Sequence, residues 1–105
     1  MNDIGRITVN PWPSGYSAAV VIRDDDLCYF TPPEKLDTIY GEAWQRGFKV
    51  TFSVIPRVKA IDDPLVPPRY RGRMTLHELR GNEELIDFLT EKMIKDEIDI
   101  AQHGY

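Results

Sequence analysis

Four consecutive residues near the start of the chain, Arg23-Asp24-Asp25-Asp26, and one close to its end, His103, carry the side chains that metal-assisted hydrolysis uses. Carboxylate and neutral imidazole both suit zinc and its neighbours as ligands. A further aspartate beside such a site can act as general base. Asp24, Asp25, Asp26 and His103 are therefore the candidate set. The alternatives are a solvated acidic turn after a strand and a histidine with a structural role. Cys28, the only cysteine, excludes an internal disulfide and reads as a small filler residue or a reactive thiol.

The elements around these residues decide whether they meet. Ala18-Ala19-Val20-Val21-Ile22 is a continuous apolar run, the pattern of a strand buried on both faces of a parallel sheet. Ionised carboxylates cannot stay inside a core without partners. The strand is thus expected to end at Asp24 and deliver the acids to a cleft at its carboxyl end, where α/β folds bind ligands. Next, Thr31 fits an N-cap, Pro32 the first helical position and Glu34 the third, a capping box. Leu36, Ile39, Tyr40, Ala43 and Trp44 form one apolar helical face, and Gly47 is the stop. Lys49 to Pro56 is β-branched and aromatic and closes on proline, which predicts a second strand.

Asn82 is a good N-cap, with Glu83 and Glu84 in the first turn and Leu85, Ile86, Leu89 and Met93 on the buried face of a second helix ending near Lys95-Asp96. Ile98 to Gln102 is a third strand, and it delivers His103. The order β-α-β-α-β predicts an α/β fold with right-handed crossovers and a parallel sheet. All strand ends then share one side, which puts the acids and His103 on one rim.

Two stretches lack a sustained period. Residues 1–17 read as an extended lead-in: Ile7 and Val9 stand at strand spacing, and prolines flank Trp12. Trp12 is suited to cover the end of a core or to stack on a sugar. Residues 57–81 read as a long loop with a short helical turn near Leu76 to Leu79. Six basic residues there, Arg57, Lys59, Arg69, Arg71, Arg73 and Arg80, face only Asp62, Asp63 and Glu78. Such a loop could hold an anionic or hydroxyl-rich ligand, or simply be solvated.

A chain of 105 residues supports one small domain, here 1–105. Its net charge of -4 makes no electrostatic case for nucleic acid or an anionic membrane as partner. No apolar run approaches the ~20 residues of a membrane span, and the start lacks the basic and apolar regions of a secretory signal. A soluble, cytoplasmic protein is the expectation.

Together, a strand with an Asp-Asp pair, a helix, a strand closing on proline, a long loop, a helix, and a strand running into Ala101-Gln102-His103-Gly104-Tyr105 resemble the first part of the polysaccharide deacetylase family, in its little-characterised branch. The resemblance implies an irregular (β/α) barrel of the glycoside hydrolase/deacetylase type, and a hydrolase that removes acetyl groups from an amino sugar or related substrate. It implies Asp25 as catalytic base, with Asp26 and His103 as ligands of a divalent metal, zinc or else cobalt or nickel. A register one residue earlier would use Asp24 and Asp25 instead. The family's second motif is His-x-x-x-His; His103 matches its first histidine, and its second falls past Tyr105. The implied site is incomplete in these residues, and the polypeptide alone is expected to be inactive.

Three parallel strands cannot close a barrel. The expectation is therefore either a longer parent protein or self-association into a homo-oligomer that covers the open edges. Two rival readings use the same acids. A receiver-like phosphoacceptor module would require an aspartate where His103 stands, and an Asp-x-Asp phosphatase using Asp24 and Asp26 would require a lysine and acids on further strands. A non-enzymatic, self-associating fragment is a third.

Overall fold

The structure, a computed structural model, describes residue 8 and residues 12–103. It is mixed α/β. Strands β1 (Ile22–Leu27), β2 (Val50–Val54) and β5 (Ile98–Gln102) form a parallel sheet in the order β1-β2-β5. Helices α1 (Pro33–Gln45) and α2 (Glu83–Ile94) make the crossovers. Both crossovers step the same way across the sheet, so right-handedness puts both helices on one face. That face holds the core: Leu27, Val50, Phe52, Val54 and Ile98 from the strands pack on Leu36 and Trp44 of α1 and on Leu85 and Leu89 of α2.

The aromatic part of the core fixes how α1 and α2 sit together. The Tyr40 and Phe52 rings meet edge to face at 5.5 Å, and Trp44 lies 6.0 Å from Phe88. Trp44 Nε1 donates to the Glu97 carbonyl at 3.0 Å, and the Lys92 ammonium sits 4.1 Å above its indole. Burial of the indole thus leaves no polar atom unsatisfied, and α2 is tied to α1 by a cation–π contact.

Helix ends follow local chemistry. Asn82 Oδ1 accepts from the Leu85 N–H at 3.1 Å, a side-chain N-cap for α2. Gly47 ends α1 at φ 82°, and Asp96 does the same after α2 at φ 56°, the left-handed turn that reverses a chain leaving a helix. Thr31 departs from expectation. It does not cap α1, whose N-cap is Pro32 without a side-chain bond. Its Oγ1 instead accepts from the Cys28 N–H at 3.0 Å, and its own N–H donates to the Cys28 carbonyl. Thr31 closes the turn between β1 and α1. Ile39 and Met93, expected on buried faces, are 55% and 53% exposed, each at the margin of its helix's apolar stripe.

The first strand also departs from expectation. Ala18–Val21 lie outside the sheet, with Val20 and Val21 76% and 75% exposed, and the strand begins only at Ile22. Among the described residues β1 has one strand neighbour, β2. An edge strand needs no apolar run, and the three aspartates lie within it rather than after it.

Residues 57–81 are likewise not a structureless loop. Strands β3 (Arg57–Lys59) and β4 (Leu76–Glu78) pair antiparallel, and a 3-10 turn at Leu79–Gly81 follows. Arg57 lies directly opposite Glu78 and donates to it at 3.1 Å, and Arg80 bonds the same carboxylate. These two guanidinium groups hold the Glu78 carboxyl below its usual range. Arg71 folds its own loop, donating to the Val66 carbonyl at 2.9 Å and to the Pro64 carbonyl at 3.0 Å. Much of the expected surplus of arginine is thus spent inside the hairpin. Trp12 is 54% exposed and covers no core, and Pro13–Gly15 form a single 3-10 turn. Ile7 and Val9 fall outside the described residues. Among the described residues no helix is long and apolar enough to cross a membrane.

Phe52 has no exposed surface and meets the rings of both Tyr40 and Trp44 of α1. Phe52→Ala is expected to lower stability by about 3–5 kcal/mol, against a total of about 5–15 for a domain of this kind. A urea transition moved to markedly lower concentration, with Phe52→Leu moved less, is the outcome that urea denaturation followed by Trp fluorescence should give.

Candidate functional site

The register of β1 on β2 places the aspartates. Ile22 pairs with Val50, Arg23 with Thr51 and Asp24 with Phe52, but Leu27 pairs with Val54. Two residues, Asp25 and Asp26, therefore stand opposite the single Ser53, which is a β-bulge. Counting along the pleat, Ile22 and Asp24 share the helix side with Val50 and Phe52, while Arg23 and Asp25 point to the helix-free side. The bulge resets the phase, so Leu27 returns to the helix side, where it is 1% exposed.

Asp24 consequently belongs to the helix layer. Its Oδ2 accepts from the Tyr40 hydroxyl at 2.6 Å, and its Oδ1 accepts from the Asp26 N–H at 3.1 Å. One carboxylate thus ties the bulge to α1. Burial, and then the Asp24 carboxylate, raise the Tyr40 phenol far above its ordinary value of 10.0. Asp25 is exposed and receives a hydrogen bond from Arg23 Nε, two residues before it on the same face. Asp26 is exposed at the bulge.

His103 follows β5. Its N–H donates to the Val54 carbonyl at 2.7 Å, which continues the ladder one residue past Gln102. From Ile98 on the helix side, alternation assigns residues 99, 101 and 103 to the helix-free side. Asp25, Asp26 and His103 thus share one rim by topology. They sit on strands flanking β2, two inter-strand spacings or about 10 Å apart across the sheet, and His103 lies two residues farther along its strand than Ala101, the residue level with the aspartates. Among the described residues no group of three or more His, Cys, Asp or Glu side chains could hold a metal ion.

Beside this rim, the turn after β1 is built against the hairpin. Tyr29 stacks on His77 at 4.6 Å, with Phe30 and Tyr70 at 5.1 Å from the same imidazole. Thr75 Oγ1 and His77 Nε2 lie 2.7 Å apart. Asn82 Nδ2 donates to the Tyr29 carbonyl at 2.9 Å, so the cap of α2 also pins this turn. Bonding to Tyr70, with burial, raises the Tyr29 phenol. A cleft of about 390 Å³ opens here between Phe30, Pro67, Arg69 and the first turns of α1 and α2. Arg69 already covers the Tyr70 ring at 4.8 Å. Sequence reasoning missed His77; the alternation Leu76-His77-Glu78 was its only local signal. Cys28 is half-buried in the same turn, with the Thr31 hydroxyl 4.0 Å from its sulfur.

No protein-family model, curated protein or solved structure matches this chain.

Tyr40 yields a pH prediction. Its proton is held more tightly in the folded state than in the unfolded one, so its contribution to stability is complete below pH 10.0 and is lost as pH rises above that value. Stability measured by urea denaturation should fall between pH 10 and pH 11.5. In Tyr40→Phe the fall should be shallower, from a starting stability lower by about 1–2 kcal/mol. Equal slopes in the two proteins would remove the Tyr40–Asp24 bond from the account.

Proposed function

We propose that this chain is the β-α-β-α-β portion of a hydrolase resembling the polysaccharide deacetylases, with the helix-free face of the sheet as its substrate side. The observation that carries the reading is the bulge. It turns Asp24 into the helix layer and leaves Asp25 and Asp26 adjacent on the rim that β5 shares through His103. That arrangement favours Asp25 and Asp26 over the earlier register. In this reading Asp25 is the base, oriented by Arg23, and Asp26 and His103 are ligands for a divalent metal: zinc, cobalt or nickel. The substrate is an acetylated amino sugar or a related carbohydrate.

The residues at hand do not complete a metal site. Asp26 and His103 supply two donors across β2, where closed or catalytic zinc sites use three or four protein ligands. The polypeptide of these residues is expected to bind metal weakly and to release no acetate from acetylated sugars.

Calorimetric titration with zinc, cobalt or nickel tests this. Weak binding is expected, with a loss of about tenfold or more in Asp26→Ala and in His103→Ala and little change in Asp24→Asn. Affinities unchanged in the first two variants would remove the metal reading.

A further inference from the structure

The two edges of the sheet differ. At β1, three carboxylates and a bulge blunt the edge, the usual protection against strand addition. β5 is short but free of bulges, in register with β2 over all five of its residues, and Asp99 is its one charge. The ladder shows which way its main chain points. The Glu97 carbonyl accepts from the Val50 N–H and the His103 N–H donates to the Val54 carbonyl. By alternation residues 97, 99, 101 and 103 turn toward β2, so the N–H and C=O groups of Ile98, Ile100 and Gln102 turn outward. Among the described residues no strand pairs with them.

We infer that this edge pairs with the β5 of a second copy, antiparallel about a two-fold axis at Ile100. In that register Ile100 meets Ile100 of the other copy, Ile98 meets Gln102, and Asp99 meets Ala101. Every outward main-chain group of Ile98, Ile100 and Gln102 then finds a partner. Ile100 is 39% exposed on the helix side, and a directly opposed pair of β-branched side chains is a favourable cross-strand contact. The axis is normal to the sheet, so both helix layers stay on one side. Met93 adds to this margin. Phe88 and Lys92 mark the flank of α2 that faces Trp44, so Met93, one heptad after Ile86, lies toward the flank away from α1.

Charge selects this edge and disfavours the register that would set Asp99 against Asp99; the register centred on Ile100 is the one that pairs all three outward residues. Antiparallel pairing of two β1 edges would bring two triple-aspartate runs together, which costs free energy. At β5 the register opposes no like charges, since each Asp99 faces an alanine. Lys49 lies 3.2 Å from Asp99 and 2.7 Å from Asp96, so one ammonium serves two carboxylates and the local charge stays negative. Pairing is isologous and closes at two copies. It does not rest on the catalytic reading: it uses only main-chain direction and the sequence of β5.

Ala101 separates the outcomes, because it is exposed on the helix-free side and touches the two-fold partner only through Asp99. Sedimentation equilibrium on the 105-residue chain should show a monomer–dimer equilibrium with a dissociation constant of about 10–100 μM, as a small interface gives. Ala101→Asp places like charges opposite each other twice by symmetry and should weaken the dimer about tenfold or more. Ala101→Lys faces the same Asp99 with the opposite charge and should keep or tighten it. Ile100→Pro removes an outward N–H and leaves the ladder to β2 intact, so it should give a folded monomer by circular dichroism. If it fails to fold, the two Ala101 variants still decide. A monomer up to about 1 mM, a dimer equally stable in both Ala101 variants, or growth beyond the dimer would overturn the inference.

Discussion

The whole arrangement depends on Leu27 and Asp26 not exchanging sides. Without a bulge, alternation from Ile22 would aim Asp26 into the helix layer and Leu27 out of it. Burying the leucine contributes about 1.5–3 kcal/mol, whereas an unpaired carboxylate among Phe52, Val54 and Leu36 would cost considerably more. Both terms favour one extra residue in β1, and the chain takes it between Asp24 and Leu27. The Asp24 carboxylate completes the choice, since it bonds the Asp26 N–H on one oxygen and the Tyr40 hydroxyl on the other. Folding energetics and site geometry are thus the same event: the step that seats Leu27 is the step that sets two carboxylates side by side on the open face.

From that point the fold spreads outward through a few polar links rather than through more core. The Cys28–Thr31 turn leads β1 into α1, and Asn82 reaches back from the cap of α2 to the Tyr29 carbonyl. Gly81 passes close enough to the Tyr29 ring that a Cβ there would lie 3.3 Å from it, so glycine permits the approach. The hairpin of β3 and β4 then closes over the turn with Tyr70 and His77. The rim bearing the aspartates is thereby framed on one side by ordered aromatic structure, and on the other by β5.

Much of this was legible in the residues themselves. Asn82 with two glutamates after it, Gly47, and the run from Ile98 to Gln102 each dictate their structure locally, and the structure has them where the patterns put them. Strands alternating with helices sufficed for the parallel order. The start of β1 was misread because Ala18 to Val21 satisfy the pattern of a buried strand, while β1, an edge strand among the described residues, tolerates three aspartates. Thr31 was misread because a threonine before two prolines serves a turn as readily as a helix cap. The hairpin escaped notice because strands of three residues carry no measurable period, and its ring cluster is assembled from residues 29, 30, 70 and 77, which no local window contains. Strand order alone put Asp25, Asp26 and His103 on one rim, whereas their separation across β2 is set by the sheet and by no local pattern.

The register of β1 on β2 is the most direct point of attack. Inter-strand nuclear Overhauser effects on a uniformly labelled sample should pair Asp24 with Phe52 and Leu27 with Val54, with the amides of Asp25 and Asp26 both against Ser53. An unbroken ladder, in which Asp25 pairs with Ser53, Asp26 with Val54 and Leu27 with Ile55, would put Leu27 on the open face and contradict the account at its base.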